Sequence, residues 1–312
     1  MLTDTDWAGS GRRMYEAIKL HTNHDIEYYS RLDSGNIFSI KRGGTPLTPN
    51  NVKEVQERIN QSDIIHLKGD WPAVVLESTY GLKIRHRPVV QTVSGGFFRK
   101  KNTPIKGIGK GRYKPELYKD CALRTSFEPD LMYDEYQPCV LTPYPIDCLS
   151  LPNEWEQTDP PTFTHFPSDP RRKGTKFLTQ VFNELSKDVE FKVVVPKKRV
   201  SHKEAMSLRM GSTIYFDQFV VGAYGNAAVE MMQYGIPVAA WIPDWATGRS
   251  NGAMDGHPII TADLDISSWV DAIKEELKDL PALSVKTKEW CDNKHSYQAI
   301  AKLWDGLYES TI

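Results

Sequence analysis

The stretch STIYFDQFVVGAYGNAAVEMMQYGIPV, residues 212–238, decides the fold class. Residues 212–216 form a short apolar run that reads as a buried strand, residues 225–234 carry the helical period, and residues 236–242 return to an apolar run. Strand, turn, helix, strand is the repeating unit of an α/β sheet. In such sheets ligands sit beyond the carboxyl ends of the strands, which is where the turn holding Asp217, Gln218, Gly222, Tyr224 and Gly225 falls. Gly222 and Gly225 let backbone come close to a ligand, and the helix after them points its amino end at the same edge. Glu230 lies among Ala227, Ala228, Val229, Met231 and Met232, where an unpaired carboxylate is costly to bury. Two roles fit it: a structural carboxylate capping nearby backbone, or an acceptor for two adjacent sugar hydroxyls such as those of a ribose.

The same alternation extends both ways. Residues 163–166 and 191–195 read as strands, 174–185 as an amphipathic helix, and 201–210 as a helix with Ser201 as N-cap and Glu204 in the capping-box position. Residues 257–261 read as a further strand, and 265–280 and 285–307 as two closing helices. Between the strand at 163–166 and its helix, Arg171, Arg172 and Lys173 place three consecutive cations at a helix start. Cations there oppose the helix dipole. An anionic ligand would account for them; a solvated charge run is the alternative.

Upstream, residues 52–60 and 71–80 read as helices and 63–67 and 88–93 as strands, the last followed by the turn Ser94-Gly95-Gly96. A small-residue loop, Gly9-Ser10-Gly11-Arg12, precedes a helical pattern over residues 14–20, and the strand before it is reduced to residues 1–5. Such a loop offers amides and a cation to an anion, or is simply a tight turn. Residues 139–161 are proline-rich and without period, as a linker is. At 312 residues and 40% hydrophobic content, the chain reads as two α/β domains, 1–150 and 151–312, each doubly wound and Rossmann-like, facing across a cleft, with a C-terminal helix free to pack back on the first.

The formal net charge of −1 conceals a local bias. Residues 83–119 hold eleven Lys or Arg against Glu116 alone, a charge of +10, so the remainder carries −11. Cys121, Cys139, Cys148 and Cys291 show no zinc-ligand spacing and read as buried thiols in a reducing compartment. No apolar run approaches the ~20 residues that cross a bilayer, and the amino terminus has no secretion-signal layout. A cytoplasmic protein is expected.

Lys173-Gly174 opening a helix, followed by Gly222-x-Tyr224-Gly225-x4-Glu230-Met231-x2-Gly235-x-Pro237-Val238, resembles the donor-binding half of retaining GT-B glycosyltransferases. The fourth glycosyltransferase family (glycosyl transferases group 1), which includes sucrose-phosphate synthase, is the nearest group. The resemblance covers residues 160–245. It implies transfer of a sugar from a nucleoside-diphosphate sugar, a UDP-sugar among the candidates, with retention of configuration and without a metal or cofactor. By the resemblance, Lys173 with Arg172 or Arg171 binds the diphosphate, Glu230 holds the ribose, and backbone at Tyr224 and Gly225 meets phosphate or sugar. Lys173→Ala is then expected to abolish donor turnover and leave the fold intact.

The sequence departs from the family pattern at two places. The glutamate that stands eight residues before Glu230 in the family is Gly222 here, and Asp217 and Gln218 are the expected substitutes for hydroxyl recognition. A histidine common after the strand at 88–93 is replaced by Ser94-Gly95-Gly96. Asp263-Leu264-Asp265 precedes a helix and reads as an N-cap region rather than a metal-binding motif.

The acceptor is expected in the first half, with Ser94, Gly95, Lys100, Lys101, Lys110 and Arg112 as candidate contacts. Phe97, Phe98, Tyr113 and Tyr118 interleave the cations, a composition suited to nucleic acid or to a phosphorylated or lipid-linked glycan at a membrane surface. A basic loop compensated by acids elsewhere in the domain explains the same charges. Two other functions stay open: a nucleotide-sugar epimerase or hydrolase of the same architecture, and a non-catalytic nucleic-acid- or glycan-binding protein.

Overall fold

The computed structural model describes residues 1–3, 9–31, 44–69, 73–94, 120–132, 138–198 and 200–312. They form two units, one from residues up to Pro145 together with Tyr297–Ile312, the other Ile146–Ser296.

In the first unit, strands β1 (Leu2–Thr3), β2 (Tyr29–Arg31), β3 (Thr45–Leu47), β4 (Ile65–Lys68), β5 (Val89–Val93), β6 (Leu123–Ser126) and β7 (Cys139–Leu141) pair in parallel in the order β3-β2-β1-β4-β5-β6-β7. The order reverses between β1 and β4, the mark of a doubly wound sheet. Every residue of β4 and β5 is buried, as expected of parallel strands covered on both faces. Helices α1 (Ser10–His21), α2 (Val52–Gln61) and α3 (Ala73–Tyr80) supply cover, with Val55, Ile59 and Leu76 in the core.

β7 lies inside the stretch expected to be linker. Cys139 and Leu141 are buried, and the strand is at the sheet edge, where flanking prolines are tolerated because one side needs no ladder donors. Burial pushes the Cys139 thiol up to about 12, and all four cysteines are free thiols.

The second unit carries strands β8 (Thr162–His165), β9 (Lys192–Val194), β10 (Ile214–Phe216) and β11 (Val238–Ala239), parallel in the order β11-β10-β8-β9. Its helices are α4 (Pro170–Lys173), α5 (Thr175–Leu185), α6 (His202–Met210), α7 (Asn226–Met232), α8 (Asp244–Gly248), α9 (Ile266–Glu276) and α10 (Leu280–His295). Leu178, Val181, Phe182 and Leu185 repeat at helical spacing on α5 and meet Phe163, Phe216, Phe219 and Trp269. Phe182 stands edge-on to Phe216 at 4.9 Å and Phe219 edge-on to Trp269 at 4.7 Å. Each such fully buried ring contributes about 1.5–3 kcal/mol, so this cluster anchors the segments that follow β8 and β10. Ser201 caps α6 by accepting from the Glu204 amide at 3.2 Å, and Asp265 caps α9 by accepting from the Ser268 amide at 2.9 Å, as their sequences lead one to expect.

Two elements differ from expectation. Of residues 257–261, only Ile260 pairs, as an isolated bridge with Ala239; Pro258 has no amide to extend the ladder. The helix expected over residues 285–307 breaks at Ser296, where ψ is 152°. The break is a tertiary effect: Ile146 donates its amide to the His295 carbonyl at 2.8 Å and pairs in parallel with Ser296. The chain resumes as α11 (Tyr297–Glu309), which packs on α1 in the first unit. There Tyr308 Oη and His66 Nδ1 are 2.6 Å apart, and the His66 ring lies 4.6 Å from that of Trp304.

Candidate functional site

The strand order of the second unit reverses between β8 and β10, and in sheets of this kind ligands bind at the carboxyl ends of the strands at such a reversal. The chain leaving β8 is turned by Asp169, whose Oδ1 accepts from the amides of Arg171 at 3.0 Å and Arg172 at 3.5 Å and caps α4. Gly174 then takes φ +73°. A Cβ there would stand 2.9 Å from Phe219 Cβ and 3.1 Å from Val220 Cγ2, so only glycine lets this turn lie against the segment leaving β10. The Phe219 amide donates to the Lys173 carbonyl at 3.2 Å and fixes the contact.

That contact delivers Lys173 to the end of β10. Lys173 Nζ donates to Asp217 Oδ1 at 2.5 Å, and the Gly225 amide donates to Asp217 Oδ2 at 2.7 Å. The Asp217 side chain is fully buried; that of Lys173 is 16% exposed. One carboxylate therefore gathers the lysine after β8 and the amide of the residue that precedes α7. Beneath it, His165 bonds the Phe216 carbonyl and Thr175 Oγ1, each at 2.8 Å. Burial pushes His165 down to about 4, so the ring is neutral at physiological pH.

Glu230 is buried and paired. Its Oε1 lies 2.9 Å from His202 Nε2 and its Oε2 lies 3.3 Å from Arg209 Nη1. His202 and Arg209 are two turns apart on α6 and so share a face. Arg209 is itself buried, donates Nε–H to the Ala205 carbonyl at 3.1 Å, and has its guanidinium over the rings of Phe166 and Tyr215 at 5.8 and 5.7 Å. These side-chain pairings help offset the burial of Glu230. Nothing in the sequence spacing marks His202 and Arg209 as its partners. The helix start at Ser201 and their seven-residue separation are the only signals that could have suggested them.

Gln218 and Tyr224 are engaged within the protein. Gln218 Nε2 donates to the Ala223 carbonyl at 2.6 Å and closes the loop; Tyr224 Oη and His295 Nε2 are 3.2 Å apart. Asp217, expected to recognise a hydroxyl, accepts one hydrogen bond on each oxygen, from Lys173 and from the Gly225 amide. Arg171 is 93% exposed and Arg172 is partly exposed. The three cations lie in the single turn of α4, and α5 starts at Thr175 with Gly174 as its N-cap, so they stand just ahead of α5 rather than in its first turn.

In the first unit, Ser10, Gly11 and Arg12 form the first turn of α1 rather than a loop, and Gly9 precedes it at φ +69°. The helix is the better state because Ser10 and Gly11 are buried with Met14, Ala17 and Ile18. Arg12 Nη1 meets Glu16 Oε1 at 2.5 Å, and Glu16 also accepts from Tyr297 Oη at 2.9 Å. Ser94 directly follows β5. Gly95, Lys100, Lys101, Lys110 and Arg112 lie outside the described residues, as do Phe97, Phe98, Tyr113 and Tyr118. Of the cations at 83–119, Arg85 is paired with Glu77 at 2.7 Å and Asp120 at 3.7 Å, and Arg87 donates to the Asn60 carbonyl. Among the described residues no helix is long and apolar enough to cross a membrane.

No protein-family model and no curated protein matches the chain. Solved structures do. HepE of Anabaena in complex with UDP is 11% identical, with a TM-score of 0.60 over 99% of this chain and 99% of that one. The chain has the GT-B fold. Two further GT-B structures agree: sucrose-phosphate synthase from Thermosynechococcus elongatus, 11% identical over 99% of this chain and 98% of that one, and a glycosyltransferase from Rickettsia africae, 14% identical over 99% and 97%, both at TM-score 0.60. The GT-B assignment meets the expectation drawn from Lys173-Gly174 and the Gly222–Val238 pattern.

Proposed function

We propose that the chain transfers a sugar from a nucleoside-diphosphate sugar to an acceptor with retention of configuration. One observation carries the reading: Lys173 Nζ and the Gly225 amide converge on a single buried carboxylate at the sheet's reversal point, so a cation and the start of α7 are already arranged around negative charge. A lysine ammonium has three donors, and Asp217 takes one. A diphosphate placed beside this pair meets the ammonium and the amino end of α7 together. HepE in complex with UDP and with UDP-glucose supports a UDP-sugar as donor.

In the proposed reaction the bond between the anomeric carbon and the diphosphate oxygen breaks, its electron pair leaves with the diphosphate, and the acceptor oxygen bonds the carbon on the same face. The acceptor proton passes to a donor phosphate oxygen. Lys173, with Arg172 or Arg171, stabilises the charge that develops on the leaving group, a preorganised electrostatic role that side chains and amides fill in place of a divalent cation. Glu230 receives the ribose hydroxyls, with His202 yielding its place on Oε1 and Arg209 holding Oε2. An anionic acceptor fits the +10 stretch at residues 83–119.

The test is release of nucleoside diphosphate from UDP-, GDP- and ADP-sugars with and without acceptors. Lys173→Ala alone is a poorer probe than the sequence suggests, because it strands buried Asp217. Lys173→Ala combined with Asp217→Asn keeps the buried pair neutral and should abolish turnover; wild-type turnover in that variant sinks the assignment. Donor hydrolysis with every acceptor ignored favours the epimerase or hydrolase reading.

A further inference from the structure

The loop after β10 and the loop after β11 leave the same edge of the sheet side by side, joined by the Trp241 amide donating to the Gln218 carbonyl at 2.9 Å. A few residues further on, Trp245 lies across Gly222. A Cβ on Gly222 would stand 2.6 Å from Trp245 Cζ2, 2.8 Å from Cη2 and 3.2 Å from Pro243 Cδ, and the residue holds φ +65°. Both the backbone and the indole therefore demand glycine at this position, and the space that a longer side chain would occupy belongs to Trp245. The absent carboxylate and the tryptophan are one feature.

Trp245 is not buried by this contact. It stays 41% exposed, with the Arg249 guanidinium 5.6 Å from its ring centroid. Single exposed aromatics are common; this one differs in having a guanidinium near its ring and its six-membered ring against an obligatory glycine, three residues before the amide that Asp217 holds. A pyranose presents C–H groups on its faces and hydroxyls at its rim. A fixed indole offers the matching pair, an apolar surface and one N–H donor for a hydroxyl oxygen.

We propose that Trp245 forms the wall against which the donor's sugar ring packs, making it a specificity-determining residue that takes the place of a carboxylate at position 222. This rests on the nucleotide-sugar reading above. Recognition through Trp245 is neutral and geometric, so it selects for the shape of a C–H face.

The experiment compares nucleoside diphosphate with the matching diphosphate-sugar. Wild type, Trp245→Ala and Trp245→Phe are titrated calorimetrically with UDP and UDP-glucose, GDP and GDP-mannose, and ADP and ADP-glucose, with thermal unfolding as a folding control. Expected is a loss of about three- to tenfold in affinity for the diphosphate-sugar in Trp245→Ala, most of it regained in Trp245→Phe, with the diphosphate alone bound within twofold of wild type. Equal weakening of both ligands, or of neither, overturns the role of Trp245 and leaves the nucleotide-sugar reading standing. Failure of the wild type to bind any of the six ligands overturns that reading and this inference with it.

Discussion

Lys173 Nζ and Asp217 Oδ1 are 2.5 Å apart although 44 positions separate them in the chain. Exposed ion pairs contribute at most about 1 kcal/mol, but Asp217 has no exposed side-chain surface. Removing its cation leaves a buried carboxylate with, among the described residues, the Gly225 amide as its remaining hydrogen-bond donor. Lys173→Ala should therefore lower stability by about 3–5 kcal/mol. Adding Asp217→Asn should recover most of that loss in urea unfolding while donor turnover remains absent.

Glu230 and Arg209 form a second buried pair, bridged to solvent by His202. Glu230→Leu should cost about 3–5 kcal/mol, because it strands the Arg209 guanidinium. Glu230→Leu with Arg209→Met should return close to wild-type stability, since apolar replacement of a whole buried pair is often neutral. Calorimetry should find nucleotide binding lost in both variants; retained binding in the double variant would remove Glu230 from the ribose site.

Gly174 and Gly81 separate packing from backbone strain. Both hold positive φ, +73° and +70°, but a Cβ at Gly81 meets nothing within 4 Å while one at Gly174 strikes Phe219. Gly81→Ala should cost about 1–2 kcal/mol. Gly174→Ala should cost about 1–3 kcal/mol more, and should also cut donor turnover, because the turn that carries Lys173 is pushed off the segment after β10. Urea midpoints and nucleoside diphosphate release measure the two effects.

Acid should destabilise the second unit through His165. Burial holds it down to about 4, against 6.5 in an unfolded chain. Between those values the unfolded chain binds a proton that the folded one refuses, so stability is complete above about 6.5, falls as the pH drops towards 4, and loses about 3 kcal/mol in all. His66, also lowered by burial, acts in the same direction in the first unit. Urea midpoints at pH 7.5 and pH 5 should differ accordingly, and His165→Gln should flatten the slope of the second unit's transition. An unchanged slope in that variant would assign the acid sensitivity elsewhere.

Much of this was legible from residue order. The run 212–238 and the period of residues 174–185 announce a parallel α/β sheet, because buried strands and one-faced helices leave different spacings. Lys173, Gly174 and Gly225 stood out by residue type and by their place at strand ends. Ser201 and Asp265 were recognisable as caps because capping acts over three residues, within reach of sequence alone. β2, β3 and β6 were not, since strands such as Leu123-Arg124-Thr125-Ser126 take their burial from neighbours and carry little signal themselves.

What the sequence by itself determined is the alternation of elements, the glycines and cations at the sheet edge, and so the GT-B class. Tertiary structure decided the rest. It paired Lys173 with Asp217, closed Glu230 with His202 and Arg209, broke the last helix at Ser296, and laid Trp245 over Gly222. Each of these depends on which distant groups share a buried volume. In a low-dielectric interior a charge must find a partner and a ring must find space, and residue order does not say which ones are near.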